Sequence, residues 1–357
     1  MSKKAKNIIF RVDLNGEGIV NYDKNDQKFM FNGSNLHNMK TRYSNTSYAK
    51  KKFYGTKEDL RYKISISSDC LRHDIFKGDV KFQSSNIVND DMLLYSFIAS
   101  PVSLLRGYVF AEQGETLKRS GPLSITHAEQ TCDAISYVEI CTKSGTKNSD
   151  SEESDTTLFA KETVGKIAYA SLGNIDLMQL QFVSCDQIFD RYAFNPDMFN
   201  IYKQFLKTKL PNFDSELGYY QIKNSSIEIP EFGVKLTDEN IIFLVRELFE
   251  RILMLDIRRK GSYAKVSKLE YKVVYDVIED TYESEDNWVS ISSKEDLDNI
   301  SFEINDFYIS EDLDKAKTKR ADMVADYENR KNGKKEVKAK KTAELKASKL
   351  KKTTEEK

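Results

Sequence analysis

Residues 62–76, YKISISSDCLRHDIF, hold two periodicities within fifteen positions. Tyr62 to Ser67 alternates apolar and polar side chains with the period of two that a half-buried strand needs, whereas Leu71, Ile75 and Phe76 fall on one helical face. Ser68 and Asp69 stand between them as cap candidates, because a short polar side chain can accept from the first free amides of a helix. A strand passing directly into a helix sets the expectation of an α+β architecture.

The flanking sequence extends that pattern. Residues 7–23, NIIFRVDLNGEGIVNYD, place apolar runs on both sides of Asn15-Gly16 and Gly18, which predicts a hairpin. Residues 90–99 have a helical pattern broken before Pro101, and Leu104 to Ala111 reads as a strand. Gly121-Pro122 marks a turn, and the apolar positions from Ile167 to Ser184 read as more sheet, interrupted at Gly173. Asn195-Pro196 opens a helix with core face Phe199, Tyr202, Phe205 and Leu206. Thr237 caps a longer one, on which Ile241, Leu244, Val245, Leu248, Ile252 and Leu255 keep the three-to-four spacing. Arg258, Arg259 and Lys260 crowd its end before Gly261, and Leu269 to Val277 alternates as a strand.

Three segments depart from this order. Residues 31–63 form a basic loop with interleaved aromatics, and residues 144–157, SGTKNSDSEESDTT, form an acidic, low-complexity insertion expected to be mobile. From Glu311 the chain turns to Lys, Ala and Glu with no apolar face, so residues 311–357 are expected to be a charged tail, disordered or partly helical. Residues 1–310 make up the folded body.

The 357 residues carry a net charge of −1, which conceals an asymmetry. Residues 1–63 have 14 Lys and Arg against 6 Asp and Glu, and residues 329–357 have 12 against 4, so each end carries +8 and the middle −17. Basic ends point to a polyanion. Four cysteines and three histidines without a CxxC pair make no disulfide framework and no ready zinc site; His127, Cys132 and Cys141 read as two buried thiols and a surface imidazole. The opening MSKKAKNIIF lacks a secretory apolar core and no stretch reaches 18 apolar residues, so a cytoplasmic protein without membrane contact is expected. There is no Walker or GxGxxG loop, and no cofactor is expected.

The cationic candidates follow. In the loop from Arg42 to Arg61, Arg42, Lys50, Lys51, Lys52 and Arg61 could neutralise phosphates while Tyr43 and Tyr54 stack on bases; a lysine-rich surface loop is the alternative. Arg106-Gly107-Tyr108 begins like the RNA-recognition-motif strand signature, but Val109, Ala111 and Gln113 depart from it. Lys118 and Arg119 form a cationic turn suited to phosphate; Arg72 and His73 lie on the short helix, and spacing assigns His73 no Ser, Cys or carboxylate partner for catalysis, so packing or RNA contact is expected of them.

Taken in order, several segments resemble the backbone subunit of type I CRISPR surveillance complexes, most closely that of the compact type I-F variant. They are Ile64 to Phe76, Leu105 to Val109, Lys118 to Pro122, Ala168 to Arg191 and Ile257 to Gly261, within residues 8 to about 280. The resemblance implies a modified ferredoxin-like or RNA-recognition-motif palm, an antiparallel sheet with packed helices and large inserted loops. It also implies a non-catalytic subunit that polymerises head to tail on a CRISPR RNA beside other effector subunits and offers guide bases to target DNA. Arg72, His73, Arg106, Gly107, Tyr108, Lys118, Arg119, Arg258, Arg259, Lys260 and Gly261 coincide with the matching segments and become the leading RNA contacts. The rival readings are a metal-dependent, RNA-guided ribonuclease of the type III kind and a general RNA-binding scaffold.

Overall fold

The computed structural model describes the chain apart from positions 1–2, 24–29, 32–33, 36–39, 45, 49–61, 78–89, 112–115, 133, 135, 145–155, 227, 260, 276–281 and 356–357. For some strand and helix positions, including 40–48 and most of 335–355, it describes the backbone alone. Helices and largely antiparallel sheets are mixed along the chain, an α+β arrangement.

The core is organised around the strand Asn7–Glu17, whose residues Ile8, Phe10, Val12 and Leu14 alternate inward and are all buried. It pairs antiparallel with Lys166–Asp176 on one side and with Ser262–Val274 on the other. Among the described residues this makes the centre of a nine-stranded sheet, which continues through Ala128–Gln130 to Tyr62–Ile66 and Thr46–Tyr48 and is edged at the far side by Asp256–Arg259. The helix Asp238–Leu253 lies against it, with Phe10 meeting Phe249 edge to face at 5.7 Å. Thr237 caps that helix in a reciprocal box with Asn240, and the six apolar positions read from its periodicity are all buried.

The expected hairpin at residues 7–23 does not form. Asn7–Glu17 is one strand through Gly16, where a Cβ would sit 2.2 Å from the carbonyl oxygen of Tyr263, so this glycine admits a neighbouring strand instead of making a turn. Gly18, at φ +70°, does turn the chain, but Tyr22–Asp23 then pairs with Lys40–Ser44. Gly173 likewise lies inside a continuous strand, because the Phe10 ring occupies the space its Cβ would need. Ile167 to Ser184 is therefore strand, the short helix Leu177–Gln181 and a second strand, Phe182–Asp186, with Leu180 helical.

Two other boundaries are corrected. Pro101 starts a helix, Pro101–Arg106, after the N-cap Ser100, so Leu104 and Arg106 are helical and the strand is only Tyr108–Ala111. The long helix ends at Leu253, and Arg258 and Arg259 belong to the strand Asp256–Arg259 that turns through Gly261 into Ser262–Val274. The strand expected to reach Val277 ends at Val274, and Val277 lies outside the described residues.

A five-stranded sheet joins Arg191–Tyr192, Phe182–Asp186, Glu231–Lys235, Leu217–Ile222 and Tyr308–Glu311. Strands Ser136–Ser144 and Thr156–Val164 pair as the arms of a hairpin, so the ends of the acidic insertion are strand, while 145–155 lie outside the described residues. The tail forms one helix, Leu313–Glu355. Its first turns do have a packing face: Ala316 is fully buried and Arg320 is nearly so. Among the described residues no helix is long and apolar enough to cross a membrane.

Candidate nucleic-acid interface

The strand-to-helix switch sets up the site. Ser67, one residue before the expected caps, accepts from the Cys70 amide and starts the helix Ser68–Ile75, which buries Leu71 and Ile75 and leaves Arg72 and His73 toward solvent. At its N-terminus the amide of Ser68 donates to Nδ1 of His127 at 2.9 Å. Asp69 and Arg72 pair at 2.6 Å, one turn apart. The Arg72 hydrogen bond holds the Asp69 carboxyl below its ordinary range, and the nearby His127 and Arg106 act in the same direction.

Asp74 joins this helix to a strand almost two hundred residues further along. Its side chain is only 3% exposed and accepts from Arg259 at 2.9 Å, with Lys77 at 3.7 Å and His73 at 4.0 Å. Cys70 donates its thiol to the same carboxylate, and burial with that negative neighbour pushes the thiol up to about 11, so it stays protonated. Two groups therefore lie along one short helix: Arg72 at Asp69, with Arg106 and His127 nearby, and Arg259 and Lys77 at Asp74, with His73 beside them. Together the two groups hold four Lys and Arg against two carboxylates. Arg258, the next strand residue, is 78% exposed and paired with Asp256 at 2.7 Å.

The other expected contacts divide sharply. Arg119 is buried and donates to the carbonyls of Phe182 (2.9 Å), Gln179 (3.2 Å) and Leu104 (3.4 Å); burial lowers its pKa. It is a clamp inside the protein, not a phosphate ligand. Tyr108 is also buried, donates its hydroxyl to the Ala193 carbonyl at 2.7 Å and packs with Phe97 and Phe110, so its ring is not available to a base. Gly107 serves the backbone: at φ +76°, a Cβ would lie 2.5 Å from both the Arg119 oxygen and the Gly121 nitrogen. Lys118 remains partly exposed and pairs with Asp190 at the mouth of a cavity of about 630 Å³ that Arg191 also lines. Gly261, at φ +70°, turns in open space.

Arg42 and Tyr43 lie on the strand Lys40–Ser44, where Arg42 is in register with Lys161 and Tyr43 with Asp23. Lys50, Lys51, Lys52, Tyr54, Arg61 and Lys260 lie outside the described residues. Cys132 is exposed, so the expectation of two buried thiols beside His127 fails for it. Among the described residues no cluster of three or more His, Cys, Asp or Glu could hold a metal ion. Sequence reasoning missed Asp74, Lys77 and His127. The only available signal for Asp74 was a lone carboxylate between Arg72-His73 and Lys77, which does not reveal its distant partner.

The family described as type I-Fv CRISPR-associated protein Cas7fv-like has a model that matches residues 4–282, and every member of the two cationic groups lies inside that span. The chain belongs to this family. Two solved chains are similar to this Cas7fv-like protein. One, titled "CRISPR RNA-guided surveillance complex, pre-nicking", is 10% identical with a TM-score of 0.37, over 76% of this chain and 77% of that one. The other, titled "CRISPR RNA-guided surveillance complex", is 12% identical with a TM-score of 0.26, over 78% of this chain and 95% of that one. No curated protein matches the Cas7fv-like chain.

Proposed function

We propose that this Cas7fv-like protein is a non-catalytic backbone subunit that binds a CRISPR RNA through phosphate neutralisation. On this reading the central sheet and its helices act as a ferredoxin-like palm. Copies assemble head to tail on the guide with other effector subunits in the cytoplasm, and the guide's bases pair with target DNA. The observation that carries the reading is that one short helix gathers Arg72, with Arg106 nearby, at Asp69 and brings Lys77 and the distant Arg259 together at Asp74, within the span matched by the family. A locally positive surface on a strongly acidic middle segment needs a ligand that rewards clustered cations, and a phosphate backbone does so. Lys118, Arg191 and Arg258 are the outlying contacts, and the loop around Lys50 to Tyr54 contributes further ones.

Two measurements test this. RNA co-purifying with the full chain is expected to be enriched in repeat-spacer transcripts; unselected cellular RNA would overturn guide binding. Neutralising Arg72, Arg106 and Arg259 together to Gln is expected to weaken RNA affinity and reduce the salt slope by about 2, at roughly 0.7 per single-strand phosphate contact. Unchanged affinity and slope in a folded variant would remove these residues from the interface.

A further inference from the structure

The terminal helix Leu313–Glu355 lies beyond the span matched by the family and joins a fixed anchor to a basic rod. Asp312 caps it by accepting from the amides of Asp314 (3.0 Å) and Lys315 (3.3 Å). Arg320 donates to both carboxylate oxygens of the buried Asp186 and to the Pro230 carbonyl, and Tyr327 donates to Oε1 of Gln187 at 2.9 Å. Beyond Tyr327 the contact thins: Lys331 lies over the Tyr327 ring at 5.8 Å and, with Asn332, lines a cavity beside Asp186 and Gln187, while positions 328–334 and 337 are exposed. The anchor therefore leads into a helix that has no apolar face of its own.

Its composition identifies what it faces. Residues 330–352 hold 11 Lys and Arg against 2 Asp and Glu. At about 100° per residue, positions 331, 334, 338, 341, 349 and 352, all Lys, fall on one stripe, with Glu336 on the opposite side and Glu344 on a flank. The stripe is about 32 Å long, which spans roughly nine base-pair steps of duplex. We propose that it docks on the phosphate backbone of double-stranded nucleic acid. No aromatic residue follows Tyr327, so the rod has nothing to stack on unpaired bases. Ten of the 11 cations are Lys, point charges without the planar fork that reads guanine, which makes the contact independent of sequence. A straight helix also fits the regular phosphate rows of a duplex better than a flexible single strand. This inference stands apart from guide binding, because it uses none of the cluster around Asp74.

The test compares full-length protein with a full-length variant carrying Lys→Gln at the six stripe positions, using a labelled 30-base-pair DNA of arbitrary sequence and anisotropy between 50 and 200 mM salt. The variant is expected to bind at least about tenfold more weakly at 100 mM, with a salt slope shallower by about 5, while a Lys→Arg counterpart binds like the parent. Single-stranded RNA binding by the body is expected to persist in the Gln variant. Equal affinity and slope in the parent and the Gln variant would overturn the proposal. So would single-stranded DNA of the same length binding as tightly as the duplex. A variant that loses self-association in sedimentation but keeps duplex affinity would assign the stripe to the acidic surface of a second copy, and would also overturn it.

Discussion

Arg119 and Arg259 show how two arginines from equally basic stretches acquire opposite roles. Arg119 supplies three buried carbonyls with donors, so Arg119→Met should cost about 3 kcal/mol or more by leaving them unpaired; a thermal melt tests this, and a wild-type melting temperature would remove the clamp role. Arg259 keeps contact with solvent and a single buried partner, so its neutralisation should be felt mainly in RNA affinity. Gly107→Ala should destabilise by about 2 kcal/mol or more, because the new Cβ meets backbone atoms at 2.5 Å in a left-handed conformation; chemical denaturation measures it. Glu231 supplies the pH signature. Burial raises its pKa, with the Ser184 hydroxyl and Arg191 only partly offsetting this. The folded state therefore holds the proton more tightly than the unfolded chain, and stability falls as pH rises from the ordinary value of 4.5 through the raised one. Glu231→Gln should flatten that part of the melting-temperature profile; parallel profiles would exclude titration at this carboxyl.

The elements were legible in proportion to how local their causes are. The helix Asp238–Leu253 could be read because its cap, Thr237, and its apolar stripe all lie within twenty residues. The placement of Arg258 and Arg259 could not, because a glycine after basic residues marks both a helix end and a tight hairpin, and Gly261 has the positive φ that suits either. Pro101 carried the same ambiguity, as it stops one helix and begins another. Gly16 and Gly173 read as breaks because the Tyr263 carbonyl and Phe10 ring that require them are far away in sequence. The terminal helix was hidden for the same reason, since Arg320 finds Asp186 134 residues upstream. At this scale, Arg320→Ala should undock the helix at a cost of about 3–5 kcal/mol by stranding a buried carboxylate. Limited proteolysis should then cut after residue 311 sooner than in the parent, and Asp186→Asn combined with Arg320→Leu should recover part of the lost stability. An unchanged cleavage rate in Arg320→Ala would remove the anchor.

Across the whole molecule, charge is organised by position and not by regional balance: the acidic middle contains the cationic cluster, and the largest basic run lies on a rod at the end of the chain. Binding to RNA and binding to duplex should therefore separate, with Gln at positions 72, 106 and 259 impairing the first and Gln at the six stripe positions impairing the second. Loss of both ligands from either variant would show a shared surface. The clasp between Arg320 and Asp186 also has a consequence for the order in which the chain is made. Asp186 leaves the ribosome 134 residues before its counter-charge Arg320, which also follows the sheet strand Tyr308–Glu311. A nascent chain stopped before residue 320 would have to bury that carboxylate unpaired or leave the neighbouring sheet open. Closure of this half of the protein thus waits until residue 320 has been made, so the order of synthesis sets the order in which the two sheets can be sealed.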